Sequence, residues 1–188
     1  MTRIIAGGAK GRRLDVPGSG TRPTSDRIRE SIFARLESWD AVAGARVLDL
    51  FAGSGALGIE ALSRGADSAV FVESAPAAAR VVRANLASLG FAASGSVAQK
   101  KAGTYLGSLP VGQDFDLVFV DPPYALPEEE LAALLELLAP HLDPDATVVV
   151  ERDARSPEPA LPPELELLSH RKWGDTAAWF IGRQTSEP

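Results

Sequence analysis

The feature that most constrains the fold is a glycine loop between an apolar strand and a helix. Arg46-Val-Leu-Asp-Leu50 reads as a short buried strand, Gly53-Ser-Gly-Ala-Leu-Gly58 as a tight turn, and Ala56 to Ser63 as the helix it opens. A G-x-G-x-x-G spacing in that setting belongs to a βαβ crossover, so a parallel sheet is expected. The rhythm continues downstream. Ala69 to Val72 reads as a strand, and Ser74 with Pro76 as the cap and first turn of a helix stopped by Gly90. A weak strand lies near Ser96 to Gln99, a near-continuous apolar strand runs from Phe115 to Val120, and a fifth from Thr147 to Val150. Between the last two, Pro127 opens a helix whose acids Glu128 to Glu130 sit at its positive end. Continuous apolar strands alternating with helices imply a sheet covered on both faces. Leu165 to Arg171 and Thr176 to Ile181 are separated only by a short link through Trp173, which predicts a closing antiparallel hairpin.

At 188 residues and 45% hydrophobic content, one domain with a proper core is expected. The absence of cysteine excludes disulfides and thiolate sites; with only two histidines a zinc site is nearly excluded, and no metal is expected. His141 is read as a helix-end cap, His170 as a surface residue of an edge strand, and Trp173 and Trp179 as packing anchors of the hairpin. No segment resembles a signal peptide or a membrane span, so a cytoplasmic protein is expected, with a monomer as the default state.

The net charge of −6 hides an asymmetry. Residues 1–29 carry Arg3, Lys10, Arg12, Arg13, Arg22, Arg27 and Arg29 against only Asp15 and Asp26, a net of +5 on a chain otherwise at −11. A basic arm on an acidic body suggests a nucleic-acid partner, although a merely solvated basic terminus has the same composition. The arm, residues 1–23, reads as an irregular glycine-rich hairpin; Thr24 or Ser25 then caps a helix with Ile28, Ile32, Phe33 and Leu36 on one face. Residues 24–188 form the main domain.

Read literally, Gly53 to Gly58 with Glu73 twenty residues on is a dinucleotide fingerprint. The electrostatics favour a different ligand. Asp49, Glu73 and Asp121 each close a predicted parallel strand at its carboxyl end, the edge where open α/β sheets bind ligands. Three carboxylates repel a pyrophosphate, which wants positive potential, but suit a cation. S-adenosylmethionine, with a sulfonium, an ammonium and no phosphate, is therefore favoured over NAD, and an NAD-binding oxidoreductase is the alternative of a different class. Asp121-Pro122-Pro123-Tyr124 adds a carboxylate beside rigid carbonyls, acceptors for the two hydrogens of an NH₂ group, and a flat ring for a base to stack on.

Val47-Leu-Asp-Leu-Phe-Ala-Gly-Ser-Gly55 with Asp121-Pro-Pro-Tyr124 resembles the class I methyltransferases that modify amino nitrogens. Thr21-Arg-Pro-Thr-Ser-Asp-Arg-Ile-Arg-Glu30, Arg3-Ile-Ile-Ala-Gly-Gly8 and Ala56-Leu-Gly-Ile-Glu-Ala-Leu-Ser-Arg64 narrow the resemblance to the RsmD-type 16S ribosomal RNA guanine-N2 methyltransferases. The resemblance implies a Rossmann-like α/β fold with a mostly parallel seven-stranded sheet. It implies that Asp49, Phe51, Ala52, Gly53, Ser54 and Gly55 hold S-adenosylmethionine, that Glu73 binds its ribose, and that Asp121, Pro122, Pro123 and Tyr124 hold the guanine amine. It further implies that the arm, with its seven basic residues, contacts 16S ribosomal RNA in the small subunit or an assembly intermediate. Methylation of another amine, such as adenine N6 or a protein glutamine, shares the same amine-binding motif. Where such enzymes often meet the adenine amine, this chain has Gln99-Lys100-Lys101, and that contact stays unassigned.

Overall fold

A computed structural model describes residues 2–18 and 25–184. Seven strands form one sheet: β3 (Arg46–Asp49), β4 (Ser68–Val72), β5 (Gly95–Ala98), β6 (Phe115–Val120), β7 (Leu142–Asp153), β8 (Leu165–Trp173) and β9 (Thr176–Arg183). Their order is β5-β4-β3-β6-β7-β9-β8. The first five run parallel, and β9 inserts antiparallel between β7 and β8. This is a Rossmann-like α/β sheet closed by an antiparallel hairpin, as the sequence leads one to expect. The chain winds outward from β3 to β5 and then returns to place β6 on the other side of β3. That reversal opens a crevice at the carboxyl ends of β3 and β6.

Helices cover both faces. Helices α1 (Asp26–Ser38), α2 (Ala56–Ser63) and α3 (Pro76–Leu89) bury Ile32, Phe33, Leu36, Ile59, Val82 and Leu86 against Val47, Leu117, Phe119 and Phe180. On the opposite face, α4 (Ala102–Leu106) and α5 (Glu128–Leu138) bury Tyr105, Leu106, Leu131 and Leu135 against Leu48, Val118, Val148 and Trp179. Adjacent sheet residues thus serve opposite cores, as the two-residue strand period requires.

The N-terminal arm pairs β1 (Thr2–Arg3) with β2 (Arg13–Leu14) in register Thr2↔Leu14. Ile4, Ala9 and Leu14 are buried in the same core as α1 to α3, so the arm is docked and does not project freely. Gly7 shows how closely: a Cβ there would lie 1.7 Å from the Ser63 carbonyl oxygen.

Three local readings needed correction. Ala75, not Ser74, holds the N-cap position of α3, because the Glu73 carboxylate reaches forward to accept the Ala75 N–H at 2.8 Å. Strand β7 begins at Leu142, five residues before the expected Thr147; Asp143 and Pro144 occupy an irregularity where β6 shifts its pairing from Leu142 to Thr147. Helix α4, only five residues long, carries no amphipathic period and went unseen. Ser25 caps α1 by accepting the Ile28 N–H, and Thr24 lies outside the described residues. His141 ends a 3₁₀ turn after α5, and His170 on edge strand β8 stacks 4.7 Å from Trp179. No helix among the described residues is long and apolar enough to cross a membrane.

Candidate functional site

The glycine loop is pinned where the crevice opens. Leu50 N–H still bonds Phe119 at 3.0 Å and Ala52 N–H bonds Val72 at 3.0 Å, so the loop leaves β3 tied to both neighbouring strands. Gly55 adopts φ +81° and caps α2; a Cβ there would come within 3.1 Å of Ile59 and 3.2 Å of Val82. Gly58 serves packing: its Cβ would fall 2.4 Å from the Phe71 ring, so only glycine lets α2 lie this close to β4. Glu73, at the end of β4, accepts the Gly53 N–H at 2.9 Å with the carboxylate that also takes Ala75. It therefore already shapes the loop whose ligand it is expected to touch.

Asp49 is the electrostatic centre. Its side chain is fully buried; Oδ2 accepts the Gly58 N–H at 3.1 Å, and Oδ1 has no hydrogen-bond partner among the described residues. Burial pushes its pKa up to about 7, and the charges of Asp121 and Glu73 add to the rise. The Gly58 and Phe51 N–H groups pull it down without cancelling it. Asp121 and Glu73, at the ends of the two neighbouring strands, thus both act on Asp49. A buried, incompletely paired carboxylate beside two like charges is costly unless a cation meets it. This donor set fits a sulfonium- and ammonium-bearing nucleoside and opposes a pyrophosphate.

A cavity of about 520 Å³ lies alongside, within the ~300–1,000 Å³ common for small-ligand sites. Phe51, Glu73, Ser74, Lys100 to Thr104 and residues of α5 line it. Of the expected cofactor residues, Phe51 and Glu73 face this space; Asp49 lies buried behind the loop. Gln99 is exposed and absent from the wall, which the overlooked α4 supplies instead.

Asp121 to Tyr124 follow β6 on the other side of the crevice. Asp121 is half-buried and Tyr124 is 57% exposed, its ring open to an incoming base. The Pro123 carbonyl accepts the Leu126 N–H at 2.9 Å and a weaker contact from Arg152 at 3.5 Å, so Pro122 offers the better acceptor. Arg152, buried near the end of β7, also donates to Leu126 O at 2.8 Å and pairs with Glu128 at 2.6 Å. It braces the turn that carries the motif. In the sequence Arg152 stands in the charged run Glu151-Arg152-Asp153 just past the expected strand, with nothing to mark this role.

The basic residues separate into two groups. Arg3, Lys10, Arg13 and Arg27 are exposed, and Arg22 lies outside the described residues. Arg12 is exposed too, but its guanidinium donates to the Leu89 carbonyl at 3.2 Å and to that of Ser88, capping the C-terminus of α3. Arg29 is a correction. It is wholly buried, pairs with Asp26 at 3.0 Å and Glu60 at 3.7 Å, and donates to the Arg3 carbonyl, so it holds the arm and does not face a ligand. Glu60 and Asn85, both buried on helices, also bind the arm's backbone, and helical periodicity gave no sign of either.

A family model described as "Conserved hypothetical protein 95" matches residues 2–182. The Ribosomal RNA small subunit methyltransferase D of Escherichia coli K12 is 38% identical over 185 residues, spanning 97% of this chain and 90% of that protein. Its namesake in Haemophilus influenzae is 37% identical over 157 residues, 82% of this chain and 80% of the relative. Among solved structures, a hypothetical protein of Thermus thermophilus superposes with a TM-score of 0.84 at 30% identity, covering 97% of this chain and 99% of that one.

Proposed function

The chain belongs to this conserved-hypothetical-95 family, the RsmD family of S-adenosylmethionine-dependent methyltransferases, and from that premise we propose that it methylates the exocyclic N2 amine of a guanine in 16S ribosomal RNA. The observation that carries the reading is Asp49, buried at the end of β3 with Oδ1 lacking a partner among the described residues and with the charges of Asp121 and Glu73 acting on it from the neighbouring strand ends. S-adenosylmethionine bound there supplies an electrophilic methyl. Asp49 and Glu73 give the crevice the negative potential a sulfonium and ammonium need, and Glu73 has acceptor capacity left for a ribose diol. Phe51 and α4 wall the cavity beside this loop, an apolar face against which an adenine would pack.

The chain's own work on the base is positioning. The Asp121 carboxylate and the Pro122 carbonyl accept the two N–H bonds of the amine while Tyr124 stacks on the ring. Holding both hydrogens in a bent arrangement withdraws the nitrogen lone pair from the aromatic system and aims it into the crevice. No base acts before attack; Asp121 can take the proton afterwards.

Small ribosomal subunits lacking the mark, incubated with enzyme and methyl-labelled cofactor, should acquire label as N2-methylguanosine. Label in N6-methyladenosine would redirect the specificity, and tight NAD binding without S-adenosylmethionine binding would reverse the cofactor assignment. For the arm, Lys10→Glu with Arg13→Glu should weaken RNA binding and flatten its dependence on log salt by about one unit for each phosphate no longer neutralised. Cofactor affinity should stay constant. Arg12 is unsuitable for this test because its removal would uncap α3.

A further inference from the structure

The arm and the cofactor loop share one buried side chain. Asn85, on α3 and 1% exposed, accepts the Asp15 N–H on Oδ1 at 2.9 Å. Its Nδ2 donates to the Asp15 carbonyl and to the Ser54 carbonyl, each at 2.9 Å. Both amide hydrogens are thus committed, one to the arm close to Arg13 and the other to the middle of the glycine loop. The Ser54 carbonyl belongs to the peptide whose N–H, on Gly55, bonds Ala52 at 2.6 Å and whose Gly55 sits at φ +81°. Fixing that carbonyl fixes the plane of the tightest peptide in the loop.

The other helix flanking the loop grips the arm as well. Glu60 on α2 accepts the Ile5 and Ala6 N–H groups at 2.8 and 3.0 Å, and Ser63 takes the Ala9 N–H at 3.0 Å while donating to the Ala6 carbonyl at 2.6 Å. A load on the arm therefore reaches the loop through α2 from one side and through Asn85 directly from the other. Both partners of the Asn85 carboxamide are backbone, so neither can be relieved by a rotamer change.

On the reading that the arm meets RNA and the loop meets the cofactor, we infer that Asn85 is a positioning residue that links the two. RNA that steadies the arm steadies the Ser54–Gly55 peptide through Asn85, and a filled loop steadies the arm in return. Each ligand then strengthens binding of the other by one common factor, since linkage between binding free energies is reciprocal. A coupling of about 5- to 150-fold is the usual range.

The test is a paired titration of the full chain with S-adenosylhomocysteine, which cannot donate a methyl, and small ribosomal subunits lacking the mark. In the unmodified chain the nucleoside should bind at least about fivefold tighter in the presence of subunits, and subunits should gain the same factor from the nucleoside. Asn85→Leu removes all three bonds at similar volume; Asn85→Asp keeps an acceptor for Asp15 but loses both donors, and serves if the leucine variant does not fold. In folded variants the factor should collapse toward one. A residue that only satisfies the core would lower the melting temperature and leave the factor unchanged, which would overturn the inference. So would a factor of one in the unmodified chain. Failure of the subunits to bind at all would remove the substrate reading together with this coupling, whereas binding without coupling removes the coupling alone.

Discussion

Asp121→Ala is expected to lower methyl-transfer turnover by about 10²–10³-fold, the cost typical of deleting one preorganised group that acts on the reacting centre. The carboxylate follows β6 and closes the strand next to β3, so its backbone is set by the sheet. Alanine leaves that backbone in place, since Pro122 and Pro123 keep their torsions and Arg152 still holds Leu126. The amine would lose one of its two acceptors, and with it the geometry that frees its lone pair. Nucleoside affinity should fall by far less, about tenfold at most, because Asp49, Glu73 and the glycine loop are left in place. Single-turnover transfer and calorimetry with S-adenosylhomocysteine separate the two quantities. Loss of binding equal to loss of turnover would place Asp121 in the cofactor site and not at the base. Unchanged turnover would remove the amine clamp altogether.

Sequence pattern revealed the sheet because parallel strands buried on both faces leave an unambiguous apolar signature. Phe115–Val120 and Ala56–Ser63 were located to the residue. The acids at the strand ends were legible for the same reason, their place following once the strands were known. What pattern missed was long-range and polar. Arg29 counted as one of seven basic arm residues, yet it lies on the buried face of α1 with Ile32, Phe33 and Leu36, one turn from the cap. Its spacing from Ile32 and Phe33 marked that face in advance; charge alone concealed it. Asn85 and Glu60 sit on helix faces where an aliphatic side chain would satisfy the period equally well, and their partners are 54 to 70 residues away in the arm. A backbone N–H that needs an acceptor leaves no trace in a composition or a period. Helix α4 is too short to show a period at all, which is why its part of the cavity wall had no assigned residue.

Asp49→Asn is expected to stabilise the fold and weaken the cofactor together, with both effects set by pH. Burial, reinforced by Asp121 and Glu73, raises the Asp49 pKa to about 7. Between the ordinary carboxylate range and that value the folded chain holds a proton that the unfolded chain has released. The contribution of Asp49 to stability is therefore fully present below the ordinary carboxylate range and is lost as pH rises through about 7, where the buried group must ionise. Asparagine keeps an acceptor for the Gly58 N–H and never ionises. Its melting temperature should exceed that of the unmodified chain by on the order of 5 °C at pH 8, with the gap narrowing toward pH 5. A cation in the crevice reverses the balance: it favours the ionised form, pulls the pKa back down and releases the proton. In the unmodified chain, S-adenosylmethionine affinity should then rise between about pH 6 and 8 and level off above, with proton release measurable by calorimetry in buffers of different ionisation enthalpy. In the variant the affinity should be lower by about 10- to 100-fold at pH 8 and flat across that range. No histidine lines the cavity to mimic this profile. An asparagine variant that binds S-adenosylmethionine with unaltered pH dependence would show that Asp49 is not the group meeting the cation.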